Sequence, residues 1–495
     1  MQLRPHKTKI TATVGPASAS PAVMEKMIRS GMDIARLNFS HGGLDDHRRN
    51  IESLRAAAGA AGREVAILAD LPGPKIRLGT IAGGPVELVA GQAFTLTTEE
   101  GPGGPTRAFV SFSRLPAVVK AGDHVFVNDG LVDLEVDAVE DGEVRCRVVV
   151  GGEISSRKGV NLPGLDLGLR AFTDDDRRCL EFALRHGVDV VSQSFVESAA
   201  DVECVREAAA VLGHRPFVIA KIERARALER LDEILAAADG LMIARGDLGV
   251  EVPMEQIAVL QKGLMRKAMR AGKPVITATQ MLESMTRSRR PTRAEATDVA
   301  NAILDGTDCV MLSAESASGM YPVEAVATLA KIAAATEPHR PRFELWERLK
   351  TLPQEVDPGL HDLVAIATEA VMAFGKSAAV VVPTGDGVTA RSIARFRLPT
   401  WVAAVTASDQ VARQLHLSYG VHPVREPGPV RDWNAFVRDW VTSNGLPGAM
   451  AVLLHGPSPE QPDANHTMEL VDLGMPPVGR EAIVRSAIDS LLPPR

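Results

Sequence analysis

Eight short apolar or β-branched runs recur between residues 7 and 315. They are KTKITATVG (7–15), DIARLNFS (33–40), VAILADL (65–71), VDVVSQSF (188–195), FVIAKIE (217–223), GLMIARG (240–246), PVITATQ (274–280) and CVMLSAE (309–315). Helical-period segments separate them, the pattern of repeated βα units around a parallel sheet. Eight such units predict a closed (β/α)8 TIM barrel with functional groups at the C-terminal strand ends, and every run does end in polar or charged residues. Residues 72 to 187, between the third and fourth runs, exceed an ordinary βα repeat several-fold. From 72 to 165 the texture changes to short alternating segments broken by Gly, Pro and Asp, such as VELVAGQAFTLTT, DHVFVNDG and EVRCRVVVGGEI. This predicts an inserted small antiparallel β-barrel or sandwich, hung over the barrel mouth as a lid.

After Glu337, four prolines in PHRPRFELWERLKTLPQEVDPG mark a linker with a short helix, and from about residue 361 helix and strand alternate again. The expected organisation is a barrel from 1–71 and 166–345, a β-rich lid at 72–165, and a C-terminal α/β domain at 346–495. Length agrees, since 495 residues amount to about three domains.

Composition removes several classes of function. With 55 basic and 62 acidic side chains the net charge is −7, which argues against nucleic acid or an anionic membrane as partner. Cys146, Cys179, Cys204 and Cys309 form no C-x-x-C pair and read as reduced core thiols. No apolar leader opens the sequence and no run of 18 apolar residues occurs, so the expected compartment is the cytoplasm. Neither a P-loop nor a G-x-G-x-x-G after a strand is present.

The strand ends carry the candidate chemistry. Residues two apart share a face of a strand, so Arg36, Asn38 and Ser40 point together, as do Lys221 and Glu223. Charges aimed into one mouth need partners. A multiply charged ligand with a metal satisfies them all, and Glu223 with Asp247 offers Mg²⁺ one or two carboxylates. Gly246 permits close approach, leaving its amide and that of Asp247 for an anionic oxygen. Asp70 and Thr279 complete the ring. Arg77, Arg157 and Lys158, at the two ends of the insertion, suit phosphates. Taken alone, a strand-end charge is more often a structural salt bridge than a ligand, and Arg77, Arg157 and Lys158 read equally as solvated surface charges; convergence at one barrel end favours function. Ser313 and Glu315 are read as structural, and Thr292, Arg293 and Glu295 as a helix cap or loop brace.

MDIARLNFSHG, RKGVNLPG, FVIAKIE, DGLMIARGDLGVEVP, AGKPVITATQMLESM and RPTRAEATDVANAILDGTDCVMLSAESASGMYPVEA, in this order along the barrel and lid, closely resemble the pyruvate kinase family, and NHTMEL resembles its last domain. The resemblance implies an enzyme taking phosphoenolpyruvate and ADP to pyruvate and ATP, built from the same three domains, in a homotetramer. It implies that Arg36 and Lys221 hold the transferring phosphoryl group and that Glu223 and Asp247 hold Mg²⁺, for which Mn²⁺ substitutes. The Gly246 and Asp247 amides then take the substrate carboxylate, and Thr279 lies near the carbon that is protonated. Asn38, His41, Arg77 and Lys158 contact ADP or its metal.

Two departures bear on regulation. Where cation-requiring members carry Asp-Thr-Lys-Gly-Pro-Glu, this chain has Asp70-Leu71-Pro72-Gly73-Pro74-Lys75. An ammonium in place of a carboxylate adds a repulsion of ~4 kcal/mol for a K⁺ ion about 4 Å away at an effective dielectric of about 20. The expectation is a K⁺-independent enzyme in which Asn38, Ser40 and Asp70 are the remnant of the cation pocket and Lys75 supplies the charge. In the last domain, Asp386 within VVPTGDGVTAR (381–391) and the loop HGPSPEQPDANHT (455–467) argue against activation by fructose 1,6-bisphosphate. A Mg²⁺-dependent enolpyruvate lyase or aldolase, and a catalytically silent metabolite-binding homologue, stand as alternatives.

Overall fold

The computed structural model describes residues 3–340, 360–375, 377–456 and 464–474. The linker expected at 338–359 falls largely outside these residues, as does the middle of the 455–467 loop.

All eight apolar runs form strands of one closed parallel barrel: Lys9–Thr13, Ile34–Asn38, Ala66–Asp70, Val190–Gln193, Phe217–Ile222, Gly240–Ala244, Val275–Ala278 and Cys309–Leu312. They neighbour one another in sequence order, and Lys9 against Cys309 closes the ring. The runs read as continuously apolar because both faces are buried. Ile34, Leu68, Ile219, Met242 and Ile276 fill the barrel interior, whereas the alternate residues Ala35, Ile67, Ala220 and Ile243 pack beneath the surrounding helices.

That alternation places the chemistry. The inward row continues from Ile34 to Arg36, from Leu68 to Asp70 and from Ile219 to Lys221, so each apolar interior position is followed two residues later by a charged one nearer the mouth. Capping fixes where several helices begin. Thr173 with Asp176, and Thr292 with Glu295, form reciprocal capping boxes.

Between the third strand and the helix Asp174–Arg185, the chain builds a six-stranded sheet ordered Val160–Asn161, His124–Val127, Val132–Glu140, Glu143–Val150, Ala93–Thr97, Arg107–Phe109. Its pairs are antiparallel except the last, which is parallel. Arg77 bridges Gly159 at one edge and Leu78 bridges Val110 at the other, so the entering segment joins both edges and curls the sheet around its own apolar core. A two-stranded ribbon of Val86–Leu88 and Gly152–Ile154 completes this unit.

The C-terminal unit is a five-stranded sheet ordered Val421–Arg425, Trp401–Thr406, Ser377–Pro383, Met450–His455, Thr467–Asp472, parallel except for the last strand. It seals the N-terminal end of the barrel. Leu417 joins the interior apolar cluster, the Lys9 ammonium donates to the Val421 carbonyl at 2.7 Å, and Arg397 and Arg413 pair with the buried Asp308 and Asp189. This leaves the opposite end open under the β-rich unit.

The thiol expectation needs correction. All four cysteines are free, but only Cys146 and Cys309 are buried; Cys179 is half-buried and Cys204 exposed. On the helix Ala199–Val211 the core face is Val202, Val205, Ala208 and Ala209, and Cys204 falls outside that stripe. Among the described residues no helix is long and apolar enough to cross a membrane.

Candidate active site

Asp70 is the hub of the mouth. Its Oδ2 accepts from Arg36 Nε at 2.8 Å and Nη2 at 2.5 Å, and its Oδ1 accepts from Ser192 Oγ at 2.7 Å. The Lys221 ammonium stands 3.3 Å from Oδ1. Burial alone would push the Asp70 carboxyl up, but Lys221 and Arg36 outweigh it and hold the group below the usual carboxylate range. Arg36 is further fixed by Thr13, whose Oγ1 accepts from Nη1 at 2.9 Å.

Lys221 is almost fully buried. Its Nζ donates to Ser194 Oγ at 2.7 Å and pairs with Glu223 Oε1 at 2.8 Å. Burial disfavours its charge, yet Asp70 and Glu223 prevail and raise it above the ordinary lysine range, so it is a permanent cation. Glu223 shifts upward through burial, offset by Lys221 and reinforced by the charge of Asp247. Its Oε2 accepts from the Phe195 amide at 2.9 Å, and Phe195 adopts the left-handed region at φ 58°.

Asp247 lies in the short helix Arg245–Glu251 after the sixth strand. Glu223 and Asp247 are an all-oxygen pair, one buried and one facing the mouth, close enough that the second charge disfavours the first. Among the described residues no group of three or more His, Cys, Asp or Glu is gathered around one point. Two carboxylates suit a hard ion that completes its shell with substrate oxygens and water, as Mg²⁺ does.

Thr279 is out of step with the inward row, because Ala278 is the interior residue of its strand. A reversal re-aims it: Thr279 and Gln280 have φ of 70° and 51°, strained for a β-branched residue in particular. Thr279 Oγ1 thereby donates to the Ala278 carbonyl at 2.6 Å and accepts from the Gly246 amide at 2.8 Å. Arg245 holds this turn, donating to the Thr279 carbonyl at 2.8 Å while pairing with Asp298 at 2.8 Å. The Gly246 amide, expected to be free for an anionic ligand, is thus occupied by Thr279.

Ser40 donates its amide to Asn38 Oδ1 at 3.1 Å. His41 is shifted downward by burial and by the positive charges of Arg77, Lys75 and Arg36, which identifies a cationic corner where the lid meets the second strand. Arg77 donates to the Arg157 carbonyl at 3.2 Å, and Lys158 is half-buried on the same lid edge. Lys75 pairs with Asp247 Oδ1 at 3.6 Å. A cleft of about 580 Å³ lies between Asp129 and Gly130 of the lid and Gly246, Val250 and Gln280 of the barrel.

Thr13, Ser192, Ser194 and Arg245 were not singled out from the sequence. Ser192 and Ser194 share the inward parity of the fourth strand, a signal that was available; the role of Arg245 depends on a turn no periodicity announces. Glu315 accepts from the Leu282 and Ser313 amides, and Glu295 braces Ser284 and Thr292, so both serve the scaffold as expected.

A family model described as the pyruvate kinase barrel domain matches residues 5–326, and one described as the pyruvate kinase alpha/beta domain matches residues 362–470. A pyruvate kinase from Thermococcus litoralis is 47% identical over 433 residues, covering 86% of this chain and 89% of that one. One from Geobacillus stearothermophilus is 43% identical over 426 residues, covering 85% and 72%. The crystal structure of a pyruvate kinase from Cryptosporidium parvum superposes with a TM-score of 0.87 at 35% identity, covering 95% of this chain and 96% of that one. Nothing in these comparisons favours a lyase, an aldolase or a silent homologue. The chain belongs to the pyruvate kinase family, and its activity is that of a phosphotransferase acting between phosphoenolpyruvate and ADP to give pyruvate and ATP.

Proposed function

We propose that Arg36 and Lys221 grip the transferring phosphoryl group, with Lys221 contributing most where charge builds up in the transition state. The observation that carries this reading is the Lys221 ammonium, kept protonated by Asp70 and Glu223 in a buried site beside a two-carboxylate donor set. Glu223 and Asp247 hold Mg²⁺, or Mn²⁺ in its stead, which when bound neutralises charge on the substrate oxygens. The Gly246 and Asp247 amides receive the substrate carboxylate once Thr279 Oγ1 is released, and Thr279 lies beside the carbon that takes the proton. Asn38, His41, Arg77 and Lys158 bind the nucleotide phosphates, a reading supported by the cationic corner around His41. Closure of the lid, residues 72–165, excludes water.

Lys75 replaces the charge of a monovalent cation, leaving Asn38, Ser40 and Asp70 as the remnant of its pocket; K⁺ is then dispensable. The barrel comprises 1–71 and 166–345, the C-terminal domain comprises 346–495, and the enzyme works as a cytoplasmic homotetramer. The direct test couples pyruvate formation from phosphoenolpyruvate and ADP to a dehydrogenase, with and without K⁺. Equal rates support the role of Lys75, and strong K⁺ activation overturns it. In the same assay Lys221→Met is expected to lower kcat by about 10³-fold, and near-normal turnover overturns the phosphoryl-gripping role.

A further inference from the structure

Lys75 sits at the point where the chain leaves the barrel for the lid, and its side chain reaches across the mouth. Its ammonium stands 3.6 Å from Asp247 Oδ1, with the two side chains 29% and 26% exposed. The stem is confined from the lid side. A Cβ built on Gly159 would lie 3.2 Å from Lys75 Cε, 3.8 Å from its Nζ and 3.8 Å from Asp129 Oδ1. The absence of a side chain at Gly159 therefore opens the channel through which Lys75 passes, and the ammonium arrives in a region bounded by a lid carboxylate and a barrel carboxylate. Asp129 belongs to a turn of three consecutive left-handed residues, Asn128, Asp129 and Gly130, with φ of 56°, 55° and 85°. That turn abuts the barrel at Val250, where a Cβ on Gly130 would be 3.3 Å from Val250 Cγ2. Lid root, lid turn and the helix bearing Asp247 thus meet around one ammonium.

The position expected for a charge replacing a monovalent cation is the pocket of Asn38, Ser40 and Asp70. Asp70, however, is already saturated by Arg36, Lys221 and Ser192. Among the described residues Asp247 has no comparable set of partners. A divalent ion held by Asp247 would meet the Lys75 ammonium at the same carboxylate, and two cations a few ångströms apart repel strongly.

We propose that Lys75 is a tethered counter-ion: paired with Asp247 it competes with the divalent metal for that carboxylate, and metal binding displaces it. This rests on the reading of Asp247 as a metal ligand. Lys75 is a positioning residue that sets the order of events: the metal becomes tightly held only when the ammonium has moved. Because Lys75 lies at the lid root, its displacement also frees one tie between the lid and the helix Arg245–Glu251.

The test measures Mn²⁺ binding to the full chain without substrates, from the electron paramagnetic resonance signal of free Mn²⁺, for the wild type, Lys75→Gln, Asp247→Asn and the double variant. Lys75→Gln is expected to tighten Mn²⁺ about 5-fold, the equivalent of a partly exposed ion pair. Asp247→Asn is expected to weaken Mn²⁺, and the gain from Lys75→Gln is expected to vanish in its background. If Asp247→Asn weakens Mn²⁺ but Lys75→Gln leaves affinity unchanged or lowers it, the competition is refuted while the metal site stands. Full retention of Mn²⁺ by Asp247→Asn overturns both. Raising ionic strength gives a second readout that a purely structural role would not move: the 5-fold gap narrows as the exposed pair is screened.

Discussion

The network around Asp70 makes the sharpest prediction. Asp70→Asn keeps shape and volume but removes the charge that Arg36 and Lys221 face at 2.5 and 3.3 Å. At an effective dielectric of about 20, those separations correspond to roughly 5 to 7 kcal/mol of direct attraction each, most of it offset by desolvation. Breaking a buried pair by removing one partner leaves uncompensated charge and costs about 3–5 kcal/mol. For a barrel of this size the expected fall in melting temperature is on the order of 10 °C. Because Arg36 loses both of its carboxylate bonds, KM for phosphoenolpyruvate is also expected to rise at least about 10-fold. The pH dependence gives an independent check. The Asp70 carboxyl is held below its ordinary value, so its contribution is fully present above the unfolded pKa of about 4 and is lost as pH falls through the lower folded value. Scanning fluorimetry from pH 8 to pH 3 should show a constant gap between wild type and variant down to about pH 5, closing below about 4. A variant melting within about 2 °C of wild type at pH 7, or a gap that widens in acid, refutes the reasoning.

Two further outcomes are expected. Thr279→Ala should leave the fold intact, since Arg245 still holds the turn through the residue 279 carbonyl, yet lower kcat by about 10²-fold; Thr279→Ser should recover most of it, and equal turnover of the alanine variant sinks the role. His416 is half-buried at the junction of barrel and C-terminal sheet, its two inward ring nitrogens lack hydrogen-bond partners among the described residues, and desolvation followed by the charge of Lys9 lowers its pKa to about 3. A histidine with a lowered folded pKa contributes stability above its unfolded value and loses it as pH falls, here about 2 kcal/mol between pH 6.5 and pH 5. His416→Leu should therefore stabilise the junction and flatten this part of the acid slope; hydrogen exchange of the Trp401–Thr406 strand at pH 5 and 7.5 checks it, and an unchanged slope refutes it.

Much of the molecule was legible in the sequence because a parallel barrel has a strong one-dimensional signature. Eight doubly buried strands yield eight apolar runs, and the step of two from interior apolar to polar mouth yields Arg36, Asp70, Lys221 and Glu223 by parity alone. The turn-rich texture of 72–165 announced a separate β unit for the same reason, since alternation and turn residues are local properties. What local pattern cannot carry is a partnership between distant segments or a departure from regular dihedrals. Thr279 reaches the site only because its backbone turns into the left-handed region. The Gly246 amide is occupied because that turn delivers an oxygen to it. Cys204 is exposed because a helix face, rather than residue type, decides burial.

The sequence by itself determined the barrel, the inserted lid, the C-terminal α/β sheet and the chemical types gathered at the mouth. Tertiary structure alone decided which of those charges are partners. Asp70 is shared between Arg36 and Lys221, and Lys75 faces Asp247, 172 positions away, rather than the pocket its place in the chain had indicated. The physical reason is that a side chain's charge is written in the sequence, whereas the energy of that charge depends on distances of a few ångströms that only folding sets.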